Sequence, residues 1–129
     1  MLTIAEVSDK FELSQDTLRY YERIGLIPRV NRKKSGFRSY TEEDCRWVEF
    51  IKCMRNAGLP VEVLIEYVAL FQQGDETLEA RKELLIEQRR LLNSRIEDMQ
   101  NTMERLDYKI ERYQEAVVDK VNLLSRPEK

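Results

Sequence analysis

From about Leu78 to Leu124 neither glycine nor proline interrupts the chain, and apolar residues recur there with a seven-residue period. In heptads, Ile96, Met103, Ile110, Val117 and Leu124 fall at a, and Leu78, Leu85, Leu92, Met99, Leu106 and Tyr113 fall at d. Such a repeat predicts a coiled-coil helix. At 1.5 Å per residue it spans roughly 70 Å, far more than a domain of the preceding residues can cover, so its stripe needs a partner helix. Lys82 and Arg89 at a and Lys120 at d confine the apolar seam to Leu92, Ile96, Met99, Met103, Leu106, Ile110, Tyr113 and Val117 and help to fix register. The heptads predict pairing into a homodimer and leave its orientation open.

The first part of the chain is different in kind. All 4 glycines, and every proline except Pro127, lie before residue 75, so we divide the chain into a compact domain at 1–74 and a dimerisation helix with a short tail at 75–129. Thr3-Ile4-Ala5-Glu6 reads as a capping box opening one helix, and Ser14 caps a second that runs from Gln15 to Ile24 and ends at Gly25. Two short helices joined by a tight break outline a helix-turn-helix. Leu26-Ile27-Pro28 then leaves in extended form. Arg32 to Tyr40, with Ser-Gly at its tip, reads as a small β-hairpin, the wing of a winged helix-turn-helix. Thr41 and Asp44 form a second capping box for a helix whose apolar centre is read near Trp47, Phe50, Ile51 and Met54. A fourth helix follows Leu59-Pro60, with Leu64, Ile65, Val68 and Phe71 on its apolar face. The predicted fold is mainly α.

The net charge of -2 conceals an asymmetry. Between Thr17 and Tyr40, seven basic residues (Arg19, Arg23, Arg29, Arg32, Lys33, Lys34 and Arg38) stand against Glu22 alone, which leaves +6. A basic patch on a mildly acidic chain points to a bound polyanion. On the second helix Gln15, Asp16, Arg19, Tyr20 and Arg23 fall away from the Leu18/Tyr21 stripe, with Thr17 beside them, as a recognition helix requires. Lys33 and Lys34 extend the basic surface into the hairpin. The expected partner is double-stranded DNA; a coiled-coil adaptor that binds another protein accounts for the heptads but leaves the basic hairpin without a purpose.

Other classes are excluded by what is missing. The chain has no histidine, so the commonest general base and the commonest metal ligand are both absent. It has no nucleophile–base pair and no Gly-rich phosphate loop, and an enzyme is not expected. Two cysteines without histidine make no metal site, so no metal and no cofactor are expected. Neither a signal peptide nor a transmembrane run is present, which predicts a soluble, cytoplasmic protein without a membrane partner. Of the cysteines, Cys53 is placed at the edge of the apolar face, flanked by Lys52 and Arg55, cations of the kind that favour a nucleophilic thiolate. Cys45 is placed nearer the polar side. A Cys45–Cys53 disulfide within one helix is not expected, because residues eight apart lie roughly 12 Å apart along its axis.

Thr17-Leu18-Arg19-Tyr20-Tyr21-Glu22-Arg23-Ile24-Gly25-Leu26-Ile27-Pro28, then Gly36-Phe37-Arg38-Ser39-Tyr40 and Met54-Arg55-Asn56-Ala57-Gly58-Leu59-Pro60, closely resemble the MerR family of transcription regulators. The resemblance covers essentially the whole chain. It implies that Arg19, Tyr20, Arg23, Arg38 and Tyr40 contact DNA, mostly its backbone. It further implies an antiparallel coiled-coil dimer on a promoter whose spacer is too long, which the dimer bends and untwists so that RNA polymerase engages both of its recognition boxes. Metal-sensing members of that family use cysteines beyond the dimerisation helix and drug-binding members a C-terminal ligand domain, and neither is read here. Phe50-Ile51-Lys52-Cys53-Met54-Arg55 resembles the tail-less subgroup that responds to reactive aldehydes or thiol stress, which implies Cys53 as the sensor.

Overall fold

The computed structural model describes residues 1–124; the tail expected after Leu124 lies outside the described residues. The element order is α1 (Ile4–Phe11), α2 (Gln15–Ile24), α3 (Glu42–Asn56), α4 (Val61–Gln73), a 3-10 turn (Asp75–Thr77) and α5 (Leu78–Leu124). Helix starts follow the sequence closely. Thr3 and Thr41 each accept from the backbone N–H three residues on, and Glu6 and Asp44 return the bond, so both capping boxes close. Ser14 accepts from the Thr17 N–H and starts α2. Gly25 stops it at φ +84°, a left-handed conformation that costs a residue without Cβ little. The α1–α2 turn needs the same conformation at Glu12, with φ 55°.

The core gathers one face of each head helix with the extended segment after α2. Val7, Leu18, Tyr21, Leu26, Ile27, Val30, Tyr40, Cys45, Val48, Ile51, Leu59 and Leu64 are all buried in one cluster. On α3 the buried line is Cys45, Val48 and Ile51, at i, i+3 and i+6; of the apolar centre expected near Trp47, Phe50, Ile51 and Met54, Ile51 lies on it and Trp47, Phe50 and Met54 do not. Those three are partly buried, packed against the outside of the cluster. Trp47 and Phe50 turn toward α4 instead. The Trp47 ring lies 4.9 Å from Phe71 and 5.8 Å from Tyr67, and Phe50 lies 5.7 Å from Tyr67.

The expected β-hairpin is a correction. Lys33 N–H donates to the Phe37 carbonyl and Ser39 N–H to that of Asn31, both at 2.8 Å, but only one antiparallel bridge forms, between Arg32 and Arg38. The loop is a turn closed by that bridge, without paired strands. Past Arg38 the chain changes partner, and Tyr40 exchanges both backbone bonds with Leu2.

The chain divides into two compact units, Met1–Gln88 and Arg89–Lys129. The first therefore reaches beyond the boundary placed after residue 74, because the opening turns of α5 belong with the head. Within α5 no residue is buried. Ile96, Met99, Met103, Leu106, Ile110, Tyr113 and Val117 are between 45% and 67% exposed, and Leu92 is partly buried. Apolar side chains exposed at this spacing leave the second unit dependent on another surface.

Ile51 is fully buried at the centre of the head. Replacing it with alanine removes buried methyl groups and leaves a void, at a cost of about 2–5 kcal/mol. Ile51→Ala is expected to lower the unfolding free energy obtained from denaturant titration by that amount at fixed protein concentration; a loss below about 1 kcal/mol would contradict this packing.

Candidate nucleic-acid interface

The basic residues are carried by α2 and by the loop behind it. Arg19, Tyr20 and Arg23 lie on the exposed face of α2, opposite the buried Leu18 and Tyr21. Asp16 holds the Arg19 guanidinium at 2.9 Å and Gln15 accepts from it at 3.3 Å, so two residues expected to meet DNA orient a third. Arg23 lies over the Tyr20 ring, 5.6 Å from its centroid. The Thr17 hydroxyl is 2.8 Å from that of Ser14, within the N-cap, and Thr17 is only partly exposed. Lys33 and Lys34 stand exposed at the loop tip.

Glu22 is the one acidic residue of the basic stretch, and its side chain is buried. Its side chain is 8% exposed and receives Arg38 Nε at 2.6 Å and the Val30 N–H at 3.1 Å. Hydrogen bonds to an ionised carboxylate are the strong ones, and this pair of them ties both ends of the loop to α2. Arg19, Glu22, Arg23, Arg29, Arg32 and Arg38 together line a surface depression of about 450 Å³. Arg29 and Arg32 entered the sequence reading only as charge. Their convergence with α2 becomes visible once Glu22 has drawn the loop down.

Two of the sequence-predicted contacts change role. Tyr40 is fully buried, so its side chain does not present itself to a ligand in this structure. Its hydroxyl has no hydrogen-bond partner among protein atoms, and burial pushes the phenol up from its ordinary value. Tyr40 precedes the Thr41 cap, and Cys45 is the fourth residue of the helix. These are the positions of a hydrophobic staple, the signal in the sequence that foretells the burial of both. Arg38 is directed inward, its side chain 17% exposed and its Nε taken by Glu22. It is first a strut of the interface.

The cysteines also depart from expectation. Cys45 is buried in the core and Cys53 is exposed, the reverse of the placement read from the helix pattern. Burial raises the Cys45 thiol above its ordinary value. The cations beside Cys53 are engaged elsewhere, with Lys52 Nζ donating to the Phe11 carbonyl and Arg55 to the Leu59 carbonyl at 2.7 Å. Among the described residues no group of three or more metal-ligating side chains is assembled. No helix there is long and apolar enough to cross a membrane.

A family model described as MerR HTH family regulatory protein matches residues 2–70, and a second, MerR, DNA binding, matches residues 45–108. The chain belongs to the MerR family. The HTH-type transcriptional regulator AdhR of Bacillus subtilis (strain 168) is 60% identical over 91 residues. That match covers 70% of this MerR-family chain and 65% of AdhR, so it spans just under two thirds of that regulator's length. A crystal structure described as a MerR family transcriptional regulator from Listeria monocytogenes is 50% identical, with a TM-score of 0.92, covering 96% of this chain and 94% of that one. HiNmlR, a MerR family regulator lacking the sensor domain, bound to promoter DNA, is 30% identical with a TM-score of 0.80 over 90% of this chain and 92% of that one. The MerR-family chain is a DNA-binding transcription regulator and not an enzyme.

Burial separates the two thiols chemically. Under native conditions at neutral pH, iodoacetamide is expected to modify Cys53 well before Cys45, read by intact mass and peptide mapping. Because the folded Cys45 pKa lies above the unfolded one, the unfolded chain ionises first as pH rises through the thiol range. The fold therefore loses stability there and gains none. Equal labelling rates for the two cysteines would contradict the burial of Cys45.

Proposed function

We propose that this regulator acts as a homodimer that binds promoter DNA through α2 and the loop behind it. The observation that carries the reading is the convergence of Arg19, Arg23, Arg29, Arg32 and Arg38 on one depression beside the exposed face of α2. Several cations on adjoining elements match a phosphate backbone, whose neutralisation supplies most of the affinity and makes it salt-dependent. Gln15, Asp16 and Thr17 lie at the N-terminus of α2, where a recognition helix presents its base contacts, and Lys33 and Lys34 add backbone contacts from the loop in the manner of a wing. Pairing is through Leu92, Ile96, Met99, Met103, Leu106, Ile110, Tyr113 and Val117, whose exposure along α5 is the structural support for a second copy.

The dimer acts by deforming a promoter with an overlong spacer so that RNA polymerase engages both of its boxes, and it works in the cytoplasm. DNA deformation costs energy that contacts to the backbone return, which suits a protein whose interface is mostly arginine. The input is a reactive aldehyde or another thiol stress, received by Cys53. Its exposure supports the assignment, as does similarity to AdhR and to HiNmlR, a regulator described as lacking the sensor domain.

Two experiments test this reading. Arg19→Ala and Arg23→Ala are each expected to weaken operator binding across sequences and to reduce the slope of log affinity against log salt by about 1, read by fluorescence anisotropy. Full affinity with an unaltered slope in both variants would remove the interface. Cys53→Ser is expected to bind DNA as the parent does and to fail to change transcription after aldehyde exposure, whereas Cys45→Ser should respond. An intact response in Cys53→Ser would eliminate the thiol input.

A further inference from the structure

The α4–α5 junction is more heavily fastened than its length requires. Gly74 ends α4 at φ 104° and ψ -170°, a conformation that glycine alone adopts readily, and an added Cβ there would meet nothing within 4 Å. The chain turns at this elbow. Side chains then close it. Thr77 is 6% exposed, and its hydroxyl lies 2.6 Å from the Leu70 carbonyl and 2.8 Å from that of Gly74, so its single proton is placed between two carbonyls at the end of α4. Arg81, one turn into α5, donates through Nε to the Thr77 hydroxyl at 3.0 Å and through Nη2 to the Gly74 carbonyl at 3.3 Å. The same guanidinium lies 5.5 Å from the Phe71 ring centroid, and Phe71 packs edge-on to Trp47 of α3. A cation over the C-terminal carbonyls of α4 also opposes that helix's dipole.

We infer that Thr77 and Arg81 form a latch that sets the direction in which α5 leaves α4, and thereby the half-site spacing that the dimer accepts on DNA. The inference rests on the dimeric reading above. Its magnitude follows from lever geometry. Half the length of α5 is roughly 35 Å, so a change of about 6° at the elbow displaces its midpoint by about 3.7 Å, close to the rise of one base pair. A latch of several polar contacts and one ring contact is thus enough to decide between spacings that differ by a single step. An apolar contact at the same place would bury the junction without fixing its angle, because only the directional hydrogen bonds specify which carbonyl faces which donor.

The test uses the full chain and a dyad-symmetric duplex selected from random-sequence DNA by the parent protein, rebuilt with its centre lengthened or shortened by one and by two base pairs. Binding is read by anisotropy at fixed salt, beside thermal unfolding of each protein. The parent is expected to discriminate against a wrong centre about tenfold, and Thr77→Val and Arg81→Met to reduce this to about twofold or move the optimum by one step. Thr77→Ser keeps the hydroxyl and should keep the profile. Arg81→Lys keeps the cation near Phe71 but loses the fork, and it serves if Arg81→Met fails to fold. A uniform loss of affinity at every spacing, or an unchanged profile in folded variants, would overturn the latch and leave the dimer standing. Failure of the parent to select any dyad-symmetric site would refute the dimer itself, and the latch with it.

Discussion

The arginine-lined surface beside α2 depends on one buried carboxylate. Glu22 stands on the inner edge of α2 and accepts from Arg38 and from the Val30 N–H, sixteen and eight residues along the chain. Without it the loop between Pro28 and Tyr40 would bring a dense set of like charges toward α2 with nothing to offset their repulsion. Burying an ion pair contributes little net stability, because desolvation offsets most of the attraction, yet breaking one leaves an uncompensated charge at high cost. The worth of Glu22 therefore lies in position more than in net energy. It neutralises one arginine from beneath and leaves the rest facing outward.

The sequence made the head legible to the extent that local rules governed it. Thr3, Ser14 and Thr41 each begin a helix, and in all three cases the residue before the cap and the fourth residue of the helix are apolar: Leu2 and Val7, Leu13 and Leu18, Tyr40 and Cys45. Followed through, that pattern foretells buried Tyr40 and Cys45. An aromatic beside a basic loop and a thiol on a charged helix suggested exposure instead. Of the apolar centre expected on α3, Ile51 is in the core while Trp47, Phe50 and Met54 lie outside it, for a different reason. Large apolar residues dominate a helical pattern by size, but α3 faces two surfaces, and the smaller Cys45, Val48 and Ile51 take the more enclosed one. What no local rule contains is Glu22. A carboxylate among seven cations reads as a minor dilution of charge until tertiary contact brings Arg38 and Val30 to it.

The long helix α5 shows the converse. Its heptads are evident in the sequence, and the structure adds that the predicted seam stays open to solvent in the single chain. Its beginning was harder to place. Composition changes at Gly74, yet the compact head runs on to Gln88, because Thr77 and Arg81 bond back to α4 and carry the first turns of α5 with them. A boundary drawn from glycine and proline marks where the backbone can bend. It does not mark where packing ends.

The exposure of Cys53 constrains how a signal received there would act. A modified side chain that touches nothing shifts no equilibrium, since a conformational change requires different interaction free energy in the two states. Its neighbours supply what the thiol itself lacks. Lys52 is anchored to the Phe11 carbonyl at the end of α1, and Arg55 to the Leu59 carbonyl before α4. A group added to Cys53 that drew either cation away would unfasten α3 from the helix-turn-helix on one side or from α4 on the other. An anionic or hydrogen-bonding adduct does this by competing for the cation, whereas a small neutral one does it only by crowding. The proposed sensor is therefore best suited to adducts that bring charge or a strong acceptor. The basic residues that flank the thiol are then its coupling to the DNA-binding head, rather than the source of its reactivity.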